Sequence, residues 1–195
     1  MDSNKAFFLK ILKVKDLVSV HRLYCSLSPQ SEKCYNSLIY GRPKSFIWFP
    51  AQIALIISHT PFRNIVLKIY AKYIYFILGA FDKSDNLVGF AHFVLHGHSN
   101  DNKLIARVGI AVKDDFQGQG IGSYLLSNLI DLAIVNKVDK LFLDVFSKNQ
   151  KAINLYKKYG FELVRIKESR NNHKENMVEI YEMELILNRC EIKMG

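Results

Sequence analysis

Cysteine is scarce in this chain. Cys25, Cys34 and Cys190 are odd in number and show no C-x-x-C spacing. That argues against a disulfide framework or a zinc site and fits a reducing cytoplasm. The six histidines show no ligand spacing such as H-E-x-x-H, so no metal is implied. There is no internal repeat and no low-complexity tract. A basic segment followed by an apolar core is missing from the start, so no signal peptide is visible. Long hydrophobic runs are missing too. The most apolar stretch, FIWFPAQIALIIS (46–58), is too short to span a bilayer and is interrupted by Pro50, and the next, 62–79, carries Arg63, Lys68 and Lys72. Both read first as apolar helices packed on a sheet and second as a membrane-surface helix, with no membrane span.

What is present fits one globular domain, residues 1–195. The chain is 49% hydrophobic and 23% charged, and long enough to bury a sizeable core. The net charge of +9 is uneven: residues 1–80 hold 11 Lys+Arg against 3 Asp+Glu, giving +8, and residues 81–195 hold 16 against 15, giving +1. A basic surface attracts nucleic acid, an anionic membrane or an anionic cofactor. No nucleic-acid motif accompanies the charge, and the predicted sheet lacks interleaved aromatic and basic residues, so no nucleic-acid partner is expected.

Periodicity sets out the elements. Residues 7–14 read as a strand and 16–27 as a helix, then come helices at 30–38, 50–58 and 62–73. Runs at 75–81, 87–97 and 104–112 read as strands joined by the turn signals SDN and HSNDN, an antiparallel meander. A helical stripe of Ile121, Leu125, Leu129, Leu132 and Ala133 follows. Residues 140–146 form a strand, and 150–159 a helix that stops at Gly160. FELVRI and MVEIYEMELIL close the chain as strands around a polar, flexible link. The class is α+β, a mostly antiparallel sheet with helices on its faces.

The stretch DDFQGQGIGSYLL (114–126) sets Gly118, Gly120 and Gly122 on alternate positions at a helix start. Glycine weakens a helix, so three of them suggest a need for bare backbone. A helix N-terminus offers unpaired N–H groups and a partial positive charge, both of which favour a phosphate. The dinucleotide fingerprint fails because Ser123 stands where its third glycine belongs, and the P-loop fails for want of G-K-[ST].

What remains, Gln117-x-x-Gly120-x-Gly122, resembles the pyrophosphate loop of the GNAT superfamily of N-acetyltransferases. A second stretch, LFLDVFSKNQKAINLYKKYGFE (141–162), is similar to that family's other diagnostic segment through Leu141, Leu143, Val145, Asn149, Ala152, Leu155, Tyr156, Gly160 and Phe161. The resemblance covers 87–187, and LSPQS at 27–31 is similar to an LSPES turn of members related to protein lysine acetyltransferases.

The resemblance implies a mixed sheet whose two central strands splay apart around acetyl-CoA. It divides the domain into an acceptor side, 1–80, and an acetyl-CoA-binding core, 81–195. The pantetheine arm would pair with Ile110, Ala111 and Val112, and one of those amides would polarise the thioester carbonyl. The pyrophosphate would lie on the loop of Gln117, Gly118, Gln119, Gly120, Ile121, Gly122 and Ser123. Asn149 would bond the cofactor arm or the amine region, and it also suits a helix N-cap. Tyr156 would protonate the departing thiolate. Asp144, twelve positions before Tyr156, stands where ribosomal-protein N-terminal acetyltransferases carry a glutamate base; His92 and His96 are the alternatives. The implied reaction is direct acetyl transfer to a primary amine, on a protein, a peptide, a polyamine or an antibiotic. A non-catalytic CoA-binding regulator is the competing reading.

Overall fold

Residues 140–146 show how this sequence becomes a sheet. Leu141, Leu143 and Val145 are buried, while Phe142 and Asp144 between them are only partly so. Successive side chains on a strand point to opposite faces, so this alternation gives one buried apolar face and one mixed face carrying Lys140, Phe142, Asp144 and Phe146. In the computed structural model, which describes residues 7–12, 16–31, 76–99, 101–170 and 177–187, the stretch is a strand.

Seven strands and three helices are described. They run β1 (Phe7–Ile11), α1 (Leu17–Cys25), β2 (Phe76–Asp82), β3 (Leu87–His98), β4 (Leu104–Val112), α2 (Ile121–Val135), β5 (Lys140–Phe146), α3 (Gln150–Lys158), β6 (Glu162–Arg170) and β7 (Met177–Ile186). The strand order is β1-β2-β3-β4-β5-β7-β6. Pairing is antiparallel between β1 and β2, β2 and β3, β5 and β7, and β6 and β7. It is parallel between β4 and β5. This is the mixed, mostly antiparallel sheet with flanking helices that the sequence predicts. The expected helices at 50–58 and 62–73, and nearly all of the one at 30–38, lie outside the described residues. The first strand ends at Ile11 rather than at 14, and β6 runs on to Arg170, taking in residues expected in the polar link. Among the described residues no helix is long and apolar enough to cross a membrane.

The described chain divides into two compact units whose boundaries fall inside elements. Residues to Val94 with Gly109–Leu129 make one; Leu95–Val108 with residues from Ile130 onward make the other. The first is centred on a cluster of Val20, Leu23, Tyr24, Leu27, Phe81, Leu87, Phe90 and Ala111. Val20, Leu23, Tyr24 and Leu27 recur at the three- and four-residue spacing of one helix face, so α1 and the turn after it supply one wall. Gly89 lets β3 approach α2 closely: a Cβ there would lie 3.2 Å from Leu125 and 3.3 Å from Ile121.

In the second unit β5 is the organising strand. It pairs with β7 along its whole length, from Lys140 opposite Ile186 to Phe146 opposite Ile180. Its parallel ladder with β4 runs only from Ile105 opposite Lys140 to Arg107 opposite Phe142, although β4 continues to Val112. Ile153 and Tyr156 are the buried residues of α3. The Tyr156 ring meets Phe161 with 5.6 Å between centroids.

Candidate active site

The glycine loop belongs to the first unit. After β4 the chain makes a short 3-10 turn, Asp114–Phe116, and then leaves helical geometry until Ile121. Gly118 has φ +78° and Gly120 φ +83°. L side chains disfavour that region, which supplies a reason for glycine beyond ligand access. At both positions an added Cβ would meet nothing within 4 Å. The space beside these two Cα atoms is therefore open, which leaves room for a ligand to approach the backbone. Gly122 differs, since it lies inside the first turn of α2 with Ile121 and Ser123. The first intrahelical bond runs from the Tyr124 N–H to the Gly120 carbonyl, 3.0 Å, so the amides of 121–123 precede the helix ladder.

Side chains brace this loop. Gln117 Nε2 donates to the Val112 carbonyl at 3.2 Å, and Gln119 Nε2 to the Asp115 carbonyl at 3.0 Å. The family resemblance gives both glutamines to the cofactor, and each also ties the loop to its own backbone. Upstream, Ile110 and Val112 are half-buried and Ala111 is buried in the core cluster.

The second unit carries the other expected residues. Asn149 caps α3, its Oδ1 accepting the Ala152 N–H at 3.2 Å. Tyr156 is buried, and burial pushes its phenol up to about 12 from an ordinary 10.0. The hydroxyl therefore keeps its proton throughout the neutral range. Asp144 is the anchor of an ion-pair network. Its Oδ2 accepts from Arg107 Nη2 at 2.7 Å and its Oδ1 from Lys167 Nζ at 3.2 Å. Lys167 also pairs with Glu182, which stands directly opposite Asp144 across the β5–β7 ladder. Two carboxylates facing each other repel, and Lys167 between them offsets that cost. Burial works to lower the Lys167 pKa, but its hydrogen bonds and charge interactions with Glu182 and Asp144 win and raise it.

Of the alternatives for a base, His92 lies in the first unit, where a Cβ on Gly109 would come within 2.5 Å of its ring; His96, in the second unit, meets the Phe142 ring edge-on. Sequence reasoning missed Lys167, Glu182 and Asp114. The first two were not legible, because their partners lie on other strands. Asp114 was visible beside the glycines, but its serine partners lie more than eighty residues away.

The profile of the Acetyltransferase (GNAT) family matches residues 40–161, more than half of the chain. The chain belongs to the GNAT acetyltransferase family. A spermine/spermidine N(1)-acetyltransferase of Bacillus subtilis (strain 168) is 33% identical over 81 residues, covering 40% of this chain and 53% of that protein. The [Ribosomal protein bS18]-alanine N-acetyltransferase of Salmonella typhimurium is 43% identical over 58 residues, 30% of this chain and 39% of that one. The GNAT chain thus spans about half, or less, of the length of the relatives it matches. Solved structures extend the likeness in fold. The ribosomal-protein-S18-alanine N-acetyltransferase from Escherichia coli superposes with a TM-score of 0.64 at 18% identity, over 97% of this chain and 99% of that one. The yncA protein from Salmonella typhimurium, solved with acetyl-CoA, gives 0.66 at 15% identity over 94% and 95%.

Proposed function

We propose that this GNAT protein transfers the acetyl group of acetyl-CoA directly to a primary amine. The observation that carries the reading is the loop of 117–123, where the positive-φ glycines Gly118 and Gly120 leave the space beside their Cα atoms open just before α2. Such a loop fits a diphosphate through N–H donors and the helix dipole. The pantetheine arm is proposed to lie on the backbone of Ile110, Ala111 and Val112, the end of β4 that leads into the loop.

In the proposed reaction the amine nitrogen attacks the thioester carbonyl carbon. The oxyanion that forms is stabilised by a β4 amide. The carbon–sulfur bond then breaks and coenzyme A leaves as a thiolate. Tyr156 donates to that sulfur. Its pKa of about 12 lies above that of a thiol, about 8.5, so its main contribution is a hydrogen bond that stabilises the thiolate. Asp144 is the proposed acceptor of the amine's proton. Arg107 and Lys167 hold its two oxygens, so an arriving ammonium competes with Lys167. Asn149 orients the arm or the amine from the start of α3.

The acceptor is a primary amine on a polyamine or at a protein N-terminus. Relatives are named for each of these, spermine or spermidine in one case and the alanine of a ribosomal protein in the other. A cytoplasmic setting belongs to the same proposal. The experiment is thiol release from acetyl-CoA across a panel of spermidine, spermine and N-terminal alanine peptides. Release that depends on one acceptor class and drops in Tyr156→Phe supports transfer. Acetyl-CoA binding with no release on any acceptor would favour a CoA-binding regulator instead.

A further inference from the structure

An aspartate just before a phosphate loop is electrostatically out of place, because its charge opposes the diphosphate that the loop is proposed to receive. Asp114 is such a residue, three positions before Gln117. Its carboxylate is turned to another task. Oδ2 accepts the Ser28 N–H at 2.9 Å. Oδ1 accepts the Ser28 hydroxyl at 3.0 Å and the Ser31 hydroxyl at 2.6 Å. Ser28 Oγ in turn accepts the Ser31 N–H at 3.3 Å. Gln117 closes the circuit, its Nε2 lying 3.3 Å from Ser31 Oγ and 3.4 Å from Asp114 Oδ1 while it holds the Val112 carbonyl. The end of β4, the 3-10 turn, the first residue of the glycine motif and the segment after α1 are thus joined through one carboxylate. The Ser28 backbone bond and the Ser31 hydroxyl hold the Asp114 pKa below the usual carboxylate value.

We propose that Asp114 is a positioning residue: by gathering Ser28 and Ser31 it fixes the glycine loop in its diphosphate-receiving shape and ties that loop to the segment following α1. The inference rests on the acetyl-CoA reading above. Neither serine touches the diphosphate in this account. They act on binding only through Asp114 and Gln117. The carboxylate's repulsion of the ligand is outweighed by the order it imposes on the amides.

Steady-state kinetics on the full chain test this. Asp114→Ala should raise the KM for acetyl-CoA about tenfold, the scale of losing hydrogen bonds to a charged group. At saturating acetyl-CoA its kcat should stay near that of the wild type. Ser31→Ala should shift the same KM in the same direction by less. The pair Asp114→Ala with Ser31→Ala should be no worse than Asp114→Ala alone, because both remove one connection. Asp114→Asn, which retains a single acceptor oxygen, should fall between wild type and Asp114→Ala. Tighter acetyl-CoA binding in Asp114→Asn would mean that charge repulsion dominates and would overturn the proposal, as would additive effects in the pair. If Asp114→Ala does not fold, Gln117→Ala and Ser31→Ala form the same cycle, judged by the same non-additivity. A wild-type protein that binds no acetyl-CoA refutes the acetyltransferase reading. A wild type that binds it, with KM unmoved in both Ser31→Ala and Asp114→Ala, refutes this inference alone.

Discussion

Tyr156 and Gly120 carry the sharpest single-residue predictions. Tyr156→Phe removes only an oxygen, so the ring stays against Phe161 and the core is kept. The expected loss in kcat is on the order of a hundredfold, with the KM for acetyl-CoA little changed. A stopped thiol-release assay reads both. The same hydroxyl has a stability signature. Its pKa is raised on folding, so its contribution is fully present below pH 10 and is lost as pH rises through about 12. Wild-type melting temperature should therefore fall over that window by more than that of Tyr156→Phe. For Gly120→Ala, φ +83° sets a cost of about 1–2 kcal/mol from backbone strain alone, since the new methyl meets nothing in the protein. Denaturant unfolding of the free protein measures that cost, and calorimetry with acetyl-CoA measures the further loss from a methyl in the ligand's space.

The elements explain why some of the site was readable in the sequence and some was not. β4 and β5 have the bounds that their apolar runs and flanking turn residues predict, 104–112 and 140–146. The α3 cap was readable too, because Asn149 acts on the amide of Ala152, three residues away. Glycine spacing marked the loop, although spacing alone did not reveal that Gly118 and Gly120 answer a backbone demand while Gly122 sits within the helix. The ion pairs were not readable. Asp144 meets Arg107 from β4, Lys167 from β6 and, across the ladder, Glu182 from β7, and only strand register brings them together. The Asp144 side chain is 15% exposed, so Asp144→Ala, which leaves Arg107 without this carboxylate, should cost roughly 1–3 kcal/mol in denaturant unfolding. Lys167→Ala has the opposite interest. If an acceptor ammonium competes with Lys167 for Asp144, this variant lowers the KM for the amine severalfold. An unchanged or raised value would contradict that competition.

At the scale of the whole molecule, the charge excess and the apolar helices expected before residue 76 fall largely outside the described residues. The family profile reaches back to residue 40 and the sheet takes in β1, while the glycine loop lies beyond residue 76; the acetyl-CoA proposal rests on all three. A ligand that binds only the folded state stabilises it by mass action, about 2.7 kcal/mol at a hundred times its Kd. Melting temperature should therefore climb with added coenzyme A. The most direct test is titration calorimetry of acetyl-CoA into wild type and Gly120→Val, with circular dichroism to verify that both are folded. Saturable uptake by the wild type and none by the folded variant is the predicted result. Equal uptake by both, or none by the wild type, would contradict a diphosphate seated on the amides of residues 118–123.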